Sequence, residues 1–122
     1  MDSILHIPKS PSTPEIHFTI EGMCSIKGDS RPEFLDGLYT RVNDYIQGLI
    51  DRETPIFFTF EFNYYNTLAQ RYVYELLTLL STQKTFGTVV WIYASSDENV
   101  EEMGHTYKSL FPKLKIKLKE KP

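Results

Sequence analysis

The sequence predicts one α/β domain over residues 1–122. It is expected to hold a mixed sheet in the order β-β-α-β-α-β-α-β with helices mainly on one face. Three observations lead there. The apolar period switches repeatedly between 2 and 3.6 along the chain. The later strand-like runs are each separated by one helix, which requires parallel pairing through crossovers. Glu61 on one strand, and a lysine alternation in the last, leave one sheet face only partly covered.

Residues 1–14 carry Pro8, Pro11 and Pro14 among serines and threonines. Proline lacks a donor and biases its predecessor toward extended backbone, so an extended, Pro-rich arm is expected. Ile16 to Ile20 and Met23 to Lys27 alternate around Glu21-Gly22 and read as a hairpin, after which Gly28-Asp29-Ser30-Arg31-Pro32 breaks the pattern. Phe34, Leu38, Val42, Tyr45, Ile46, Leu49 and Ile50 fall on one helical face, with Ser30 as the expected cap. Ile56, Phe58, Phe60 and Phe62 share one side of the next strand, and Asn63-Tyr64-Tyr65-Asn66 reads as the turn after it. A second helix follows, with Leu68, Tyr72, Leu76, Leu79 and Leu80 in its stripe. Thr88 to Ala94 is apolar on both faces, as an internal strand should be. Asp97 caps a third helix with Val100, Met103, Tyr107, Leu110 and Phe111 inward. Beyond Pro112, Leu114, Ile116 and Leu118 alternate with Lys113, Lys115, Lys117 and Lys119. Lysines so placed suit the solvent side of an edge strand, where they discourage sheet-to-sheet pairing.

Composition narrows the function. A hydrophobic fraction of 41% supports a packed core, and a net charge of -3 gives no overall footprint for nucleic acid. Met1 to His6 lacks a basic region followed by an apolar run, and no stretch approaches the roughly 20 apolar residues of a membrane span. With a single cysteine, Cys24, a reduced cytoplasmic setting is expected.

Few residues suit catalysis. No glycine-rich phosphate loop, metal-ligand spacing or nucleophile–base pattern occurs, so neither an enzyme nor a cofactor or metal is expected. His6, His17 and His105 share no motif, and Cys24 reads as a packing residue. Asp97-Glu98 and Glu101-Glu102 fall where a helix start favours negative charge. Eight tyrosines and eight phenylalanines, with Trp91 and Tyr93, offer an alternative reading as a small-ligand sensor, although aromatics on such elements are more often core.

Thr67 stands apart. Thr67-Leu68-Ala69-Gln70 has the T-x-x-Q spacing of a capping box, which makes Thr67 an N-cap hydroxyl worth about 1 kcal/mol. The same position suits a phosphate, because a helix start offers free N–H donors and a positive dipole. Phosphorylation would place about two negative charges on a surface formed by Tyr64, Tyr65 and Leu68, while leaving the core alone.

Tyr64-Tyr65-Asn66-Thr67 resembles the Y-x-N-[ST] signature of the SiaC family of bacterial regulatory phosphoproteins. Ser12-Thr13-Pro14-Glu15, Gly28-Asp29-Ser30, Trp91-Ile92-Tyr93, and Asp97-Glu98 leading into Glu101-Glu102-Met103-Gly104 agree in order and spacing. The resemblance spans essentially the whole chain. It implies a fold similar to the STAS domains of anti-sigma-factor antagonists and phosphorylation at Thr67. The kinase would be of the histidine-kinase-like ATPase type, and a PP2C-type phosphatase would reverse it. It further implies that the unphosphorylated form binds and activates a target such as a diguanylate cyclase, raising cyclic di-GMP. Asp97 and Glu98 become candidate partner contacts. Two departures stand out. Leu68-Ala69-Gln70-Arg71 replaces the further serines and lysine common after the signature, leaving Thr67 without neighbouring hydroxyl acceptors. Ala94-Ser95-Ser96 stands where many members carry acids.

Overall fold

Among the described residues, six strands form one sheet in simple sequence order. They are β1 (Ser3–Ile7), β2 (Glu15–Thr19), β3 (Met23–Ser30), β4 (Phe57–Tyr65), β5 (Thr88–Ala94) and β6 (Lys115–Lys121). Three helices join the later strands: α1 (Leu35–Asp51), α2 (Thr67–Leu80) and α3 (Glu98–Leu110). The computed structural model describes residues 3–10, 14–30, 35–65, 67–83 and 87–121. At positions 3, 4, 29, 30, 35, 36, 63–65 and 67–69 it describes the backbone alone.

β1–β2 and β2–β3 are antiparallel, whereas β3–β4, β4–β5 and β5–β6 are parallel, as single-helix connections require. The mixed α/β sheet is therefore the expected one. Three local expectations change. Residues 3–7 of the extended arm form a strand of the sheet: they pair with β2, His6 opposite His17 and Ile7 opposite Ile16. The prolines begin only at Pro8, after the run, so its ladder donors survive. β3 continues through Gly28-Asp29-Ser30, with a register shift between Gly28 and Asp29 and Gly28 at φ +120°. A glycine that reads as a breaker is here the flexible residue of an irregular strand. Ser30 thus ends β3, α1 begins at Leu35, and residues 31–34, including Phe34, lie outside the described residues. Finally, β4 runs on through Tyr65, where a turn was expected.

One sheet face holds the core. Ile16, Phe18, Ile26, Phe58, Phe60, Val89, Trp91 and Ile116 are buried on it, beneath Tyr39, Val42, Ile46 and Leu49 of α1. Val73, Leu76, Leu77 and Leu80 of α2, with Val100 and Tyr107 of α3, complete the layer. Leu110, expected inward, is 53% exposed, and Phe111 one residue later takes the inward place. The opposite face is open: its Phe57 is 47% exposed, and Lys115, Lys117 and Lys119 are exposed beside it. Helices on one face and water on the other match the alternation of strands β4 and β6.

Glycine is required at the β2–β3 turn. Gly22 has φ +94° and its N–H donates to Thr19 O at 3.1 Å, while a Cβ there would collide with the Pro55 carbonyl.

Candidate functional site

Four strands point the same way, so Ser30, Tyr65, Ala94 and Lys121 gather at one end of the sheet. Loops leaving the carboxyl ends of parallel strands are where α/β proteins place their sites. Here α2 and α3 begin, and three of the motifs singled out in the sequence meet. Asp29 pairs with Tyr64 and Ser30 with Tyr65 across β3 and β4. Asp29 and Ser30 and the two tyrosines, 35 positions away in the chain, are thus paired neighbours in the sheet. That neighbourhood was hidden because Gly28 masks the strand's period.

Thr67 is the first residue inside α2 rather than the residue before it. Asn66 lies outside the described residues, as do the side chains of Tyr64, Tyr65, Thr67 and Leu68. The backbone around them is well tied. Gln70 O, in the first turn of α2, accepts a hydrogen bond from Tyr107 Oη of α3 at 3.3 Å. Two residues on, Tyr72 stacks on Tyr39 of α1, ring centroids 5.0 Å apart and planes 6° from parallel. The start of α2 is held between both other helices.

Electrostatics separates the two helix starts. Asp97 caps α3, its carboxylate accepting from Val100 N at 3.2 Å, and Glu98 and Glu101 stand in the first turn. Its dipole already faces negative charge, and of the candidate partner contacts Asp97 is engaged as a cap while Glu98 is exposed. The first turn of α2 contains no acid. A phosphate on residue 67 would be the first anion at that positive end, where such charge is favoured by about 0.3–1 kcal/mol. Nearby, Tyr93 is half-buried at the end of β5; burial first, and then Glu101 and Glu120, push its hydroxyl pKa up.

The remaining sequence candidates fall elsewhere. Trp91 is 1% exposed, its Nε1 donating to Val100 O at 2.8 Å and its ring packed on Phe60, Phe62 and Tyr107. It has no free face for a planar ligand, so the stacking expected of a sensor is overturned for this residue. Cys24 is buried, with Sγ donating to Gly22 O at 3.6 Å, and burial pushes its pKa up to about 12. A thiol so shifted is inert at neutral pH. His6 and His17 lie ring to ring on the open face, centroids 5.1 Å apart, and His105 sits 3.5 Å from Glu101 on α3. Among the described residues no group of three or more histidine, cysteine or acidic side chains is placed to hold a metal ion. No described helix is long and apolar enough to cross a membrane.

The fold is a one-sided α/β layer whose sequence motifs converge on the strand-to-helix junction between β4 and α2. The chain belongs to the SiaC family of regulatory phosphoproteins, whose family model matches residues 7–121. Solved structures agree across the full length. The crystal structure of apo-SiaC from Pseudomonas aeruginosa superposes with a TM-score of 0.79 at 24% identity, covering 100% of both chains. A second SiaC structure from that organism gives 0.83 at 25% identity, over 99% of this chain and 100% of that one. The crystal structure of the diguanylate cyclase SiaD in complex with its activator SiaC, also from Pseudomonas aeruginosa, gives 0.85 at 26% identity. That match covers 96% of this chain and 99% of the other. No curated protein matches the chain in sequence.

Proposed function

We propose that this protein is a non-catalytic cytoplasmic switch that binds and activates a diguanylate cyclase when unmodified and releases it when Thr67 is phosphorylated. The observation that carries the reading is the position of Thr67. It opens α2 directly after β4, with no acid in the first turn, in a chain of a regulatory phosphoprotein family. A phosphate there meets free N–H donors and helix dipole, so the fold tolerates it. Its charge would still repel or desolvate a partner seated on the surface of Tyr64, Tyr65 and Leu68. The cyclase is suggested by the similar SiaC that is held in complex with SiaD as its activator. The kinase of histidine-kinase-like ATPase type and the PP2C-type phosphatase follow from the family resemblance. Asp97 and the exposed Glu98, at the start of α3, are the further candidate partner contacts.

The test uses purified Thr67→Ala and Thr67→Asp variants with the cyclase encoded in the same genome. Both should remain folded by circular dichroism. The alanine variant should bind and raise cyclic di-GMP synthesis; the aspartate variant should lose at least tenfold in binding. Equal stimulation by both, or phosphate mapped by mass spectrometry to another residue, would overturn the reading.

A further inference from the structure

We propose that the outer edge of β6 is a docking site for an acidic, extended segment of a partner protein, which adds to the sheet as a seventh strand. This reading does not depend on the phosphorylation switch. β6 is the last strand in the sheet order and, among the described residues, pairs only with β5. Lys115 N–H donates to Gly87 O, so the odd-numbered residues turn their backbone groups toward β5. In a parallel ladder the alternate residues face the other way, which leaves the N–H and C=O of Ile116 and Leu118 directed outward. Along this edge runs a groove of about 510 Å³ between the end of α3 and β6, where Lys108, Lys113, Lys115 and Lys117 surround Leu114 and Ile116.

Charge selects the occupant. Six of the chain's 13 lysines and arginines fall within residues 108–121, in a chain of net charge -3. Lys121 is taken up by Glu61 at 3.6 Å, but among the described residues none of the four groove lysines is in an ion pair. Lys115, Lys117 and Lys119 stand on the open face about 7 Å apart, the two-residue repeat of a strand. A partner strand with carboxylates at alternate positions matches that repeat, and its apolar positions fall on the helix side. A second copy joined through the same edge would set lysine against lysine, which is destabilising. A small anion would use the ammonium groups and leave the backbone donors unused. Only an acidic strand satisfies both sets of groups, the pattern of edge recognition known for extended peptides. The groove lies at the amino end of β6, whereas α2 begins at the carboxyl end of the sheet, so charge at residue 67 should not reach it.

The probe is a capped seven-residue peptide alternating glutamate and valine, titrated into the full chain by NMR. On binding, amide exchange at Ile116 and Leu118 should slow at least tenfold. A block peptide of the same composition, and Lys115→Gln/Lys117→Gln protein, should each weaken binding at least tenfold. Thr67→Glu should change it less than twofold. Absence of binding, binding without protection of those two amides, or equal binding of the block peptide would overturn the proposal. So would displacement of the peptide by equimolar inorganic triphosphate, which would mark a small-anion site, or a large effect of Thr67→Glu.

Discussion

At Gly104 the third helix touches the sheet through backbone rather than side chain. A Cβ there would strike the Trp91 indole, and also stand 3.1 Å from Leu118. The indole cannot withdraw, since its N–H is held by Val100 O and its ring by Phe60 and Tyr107. Gly104→Ala should therefore destabilise the protein by about 1–3 kcal/mol, although alanine favours an isolated helix by about 1 kcal/mol. Urea denaturation measures the difference, and a gain in midpoint would refute the contact. Cys24 gives a second residue-scale expectation. Its pKa rises on folding from 9.0 to about 12, so the neutral thiol is favoured in the fold. The associated stability is complete below the unfolded value and is lost as pH climbs from about 9 toward about 12. Cys24→Ala should flatten the alkaline limb of a pH–stability profile, and a thiol reagent at pH 7 should label the wild-type chain only once it unfolds.

Elements differed in how openly the sequence declared them. β4 and α3 were legible because each has one period and clear punctuation: alternating Ile56 to Phe62, and Asp97 ahead of Val100. β1 was not, because five residues running straight into Pro8 offer no period long enough to outweigh the breakers that follow. Its place depends on tertiary pairing to β2 and on Leu5, which is buried at the sheet edge. Leu5→Ala should cost about 2 kcal/mol in chemical denaturation, a cost that a free arm would not show. The end of β3 was hidden for another reason: Gly28 accommodates an irregular strand, and only the pairing with Tyr64 and Tyr65 reveals it. Those same pairs set the entry to α2. Thr67, the proposed phosphoacceptor, was visible as chemistry and as motif, but its place in the first turn was settled by the helix register.

Across the whole molecule, the division between a covered and an open sheet face decides which substitutions matter. Phe57 and Met23 pair with one another on the open side and are about half exposed. Phe57→Thr should change stability by no more than about 0.5 kcal/mol while improving solubility, in contrast to its neighbour Phe58. Phe58→Ala, one position along and fully enclosed, should cost about 3–5 kcal/mol. Scanning calorimetry on the two variants distinguishes the faces directly. The sidedness itself was readable, because Glu61 and the lysine row cannot share a core with Phe60 and Leu118.

The chain carries a single tryptophan, and it sits at the centre of the packed layer, wedged between strand and helix with its indole nitrogen bound. Emission from this protein is therefore an optical probe of one place. It should be blue-shifted in the native state, unmoved by events at the surface, and red-shifted when α3 lifts from the sheet. A phosphate or partner could then come and go without altering the spectrum, and any ligand that did alter it would have disturbed the interior.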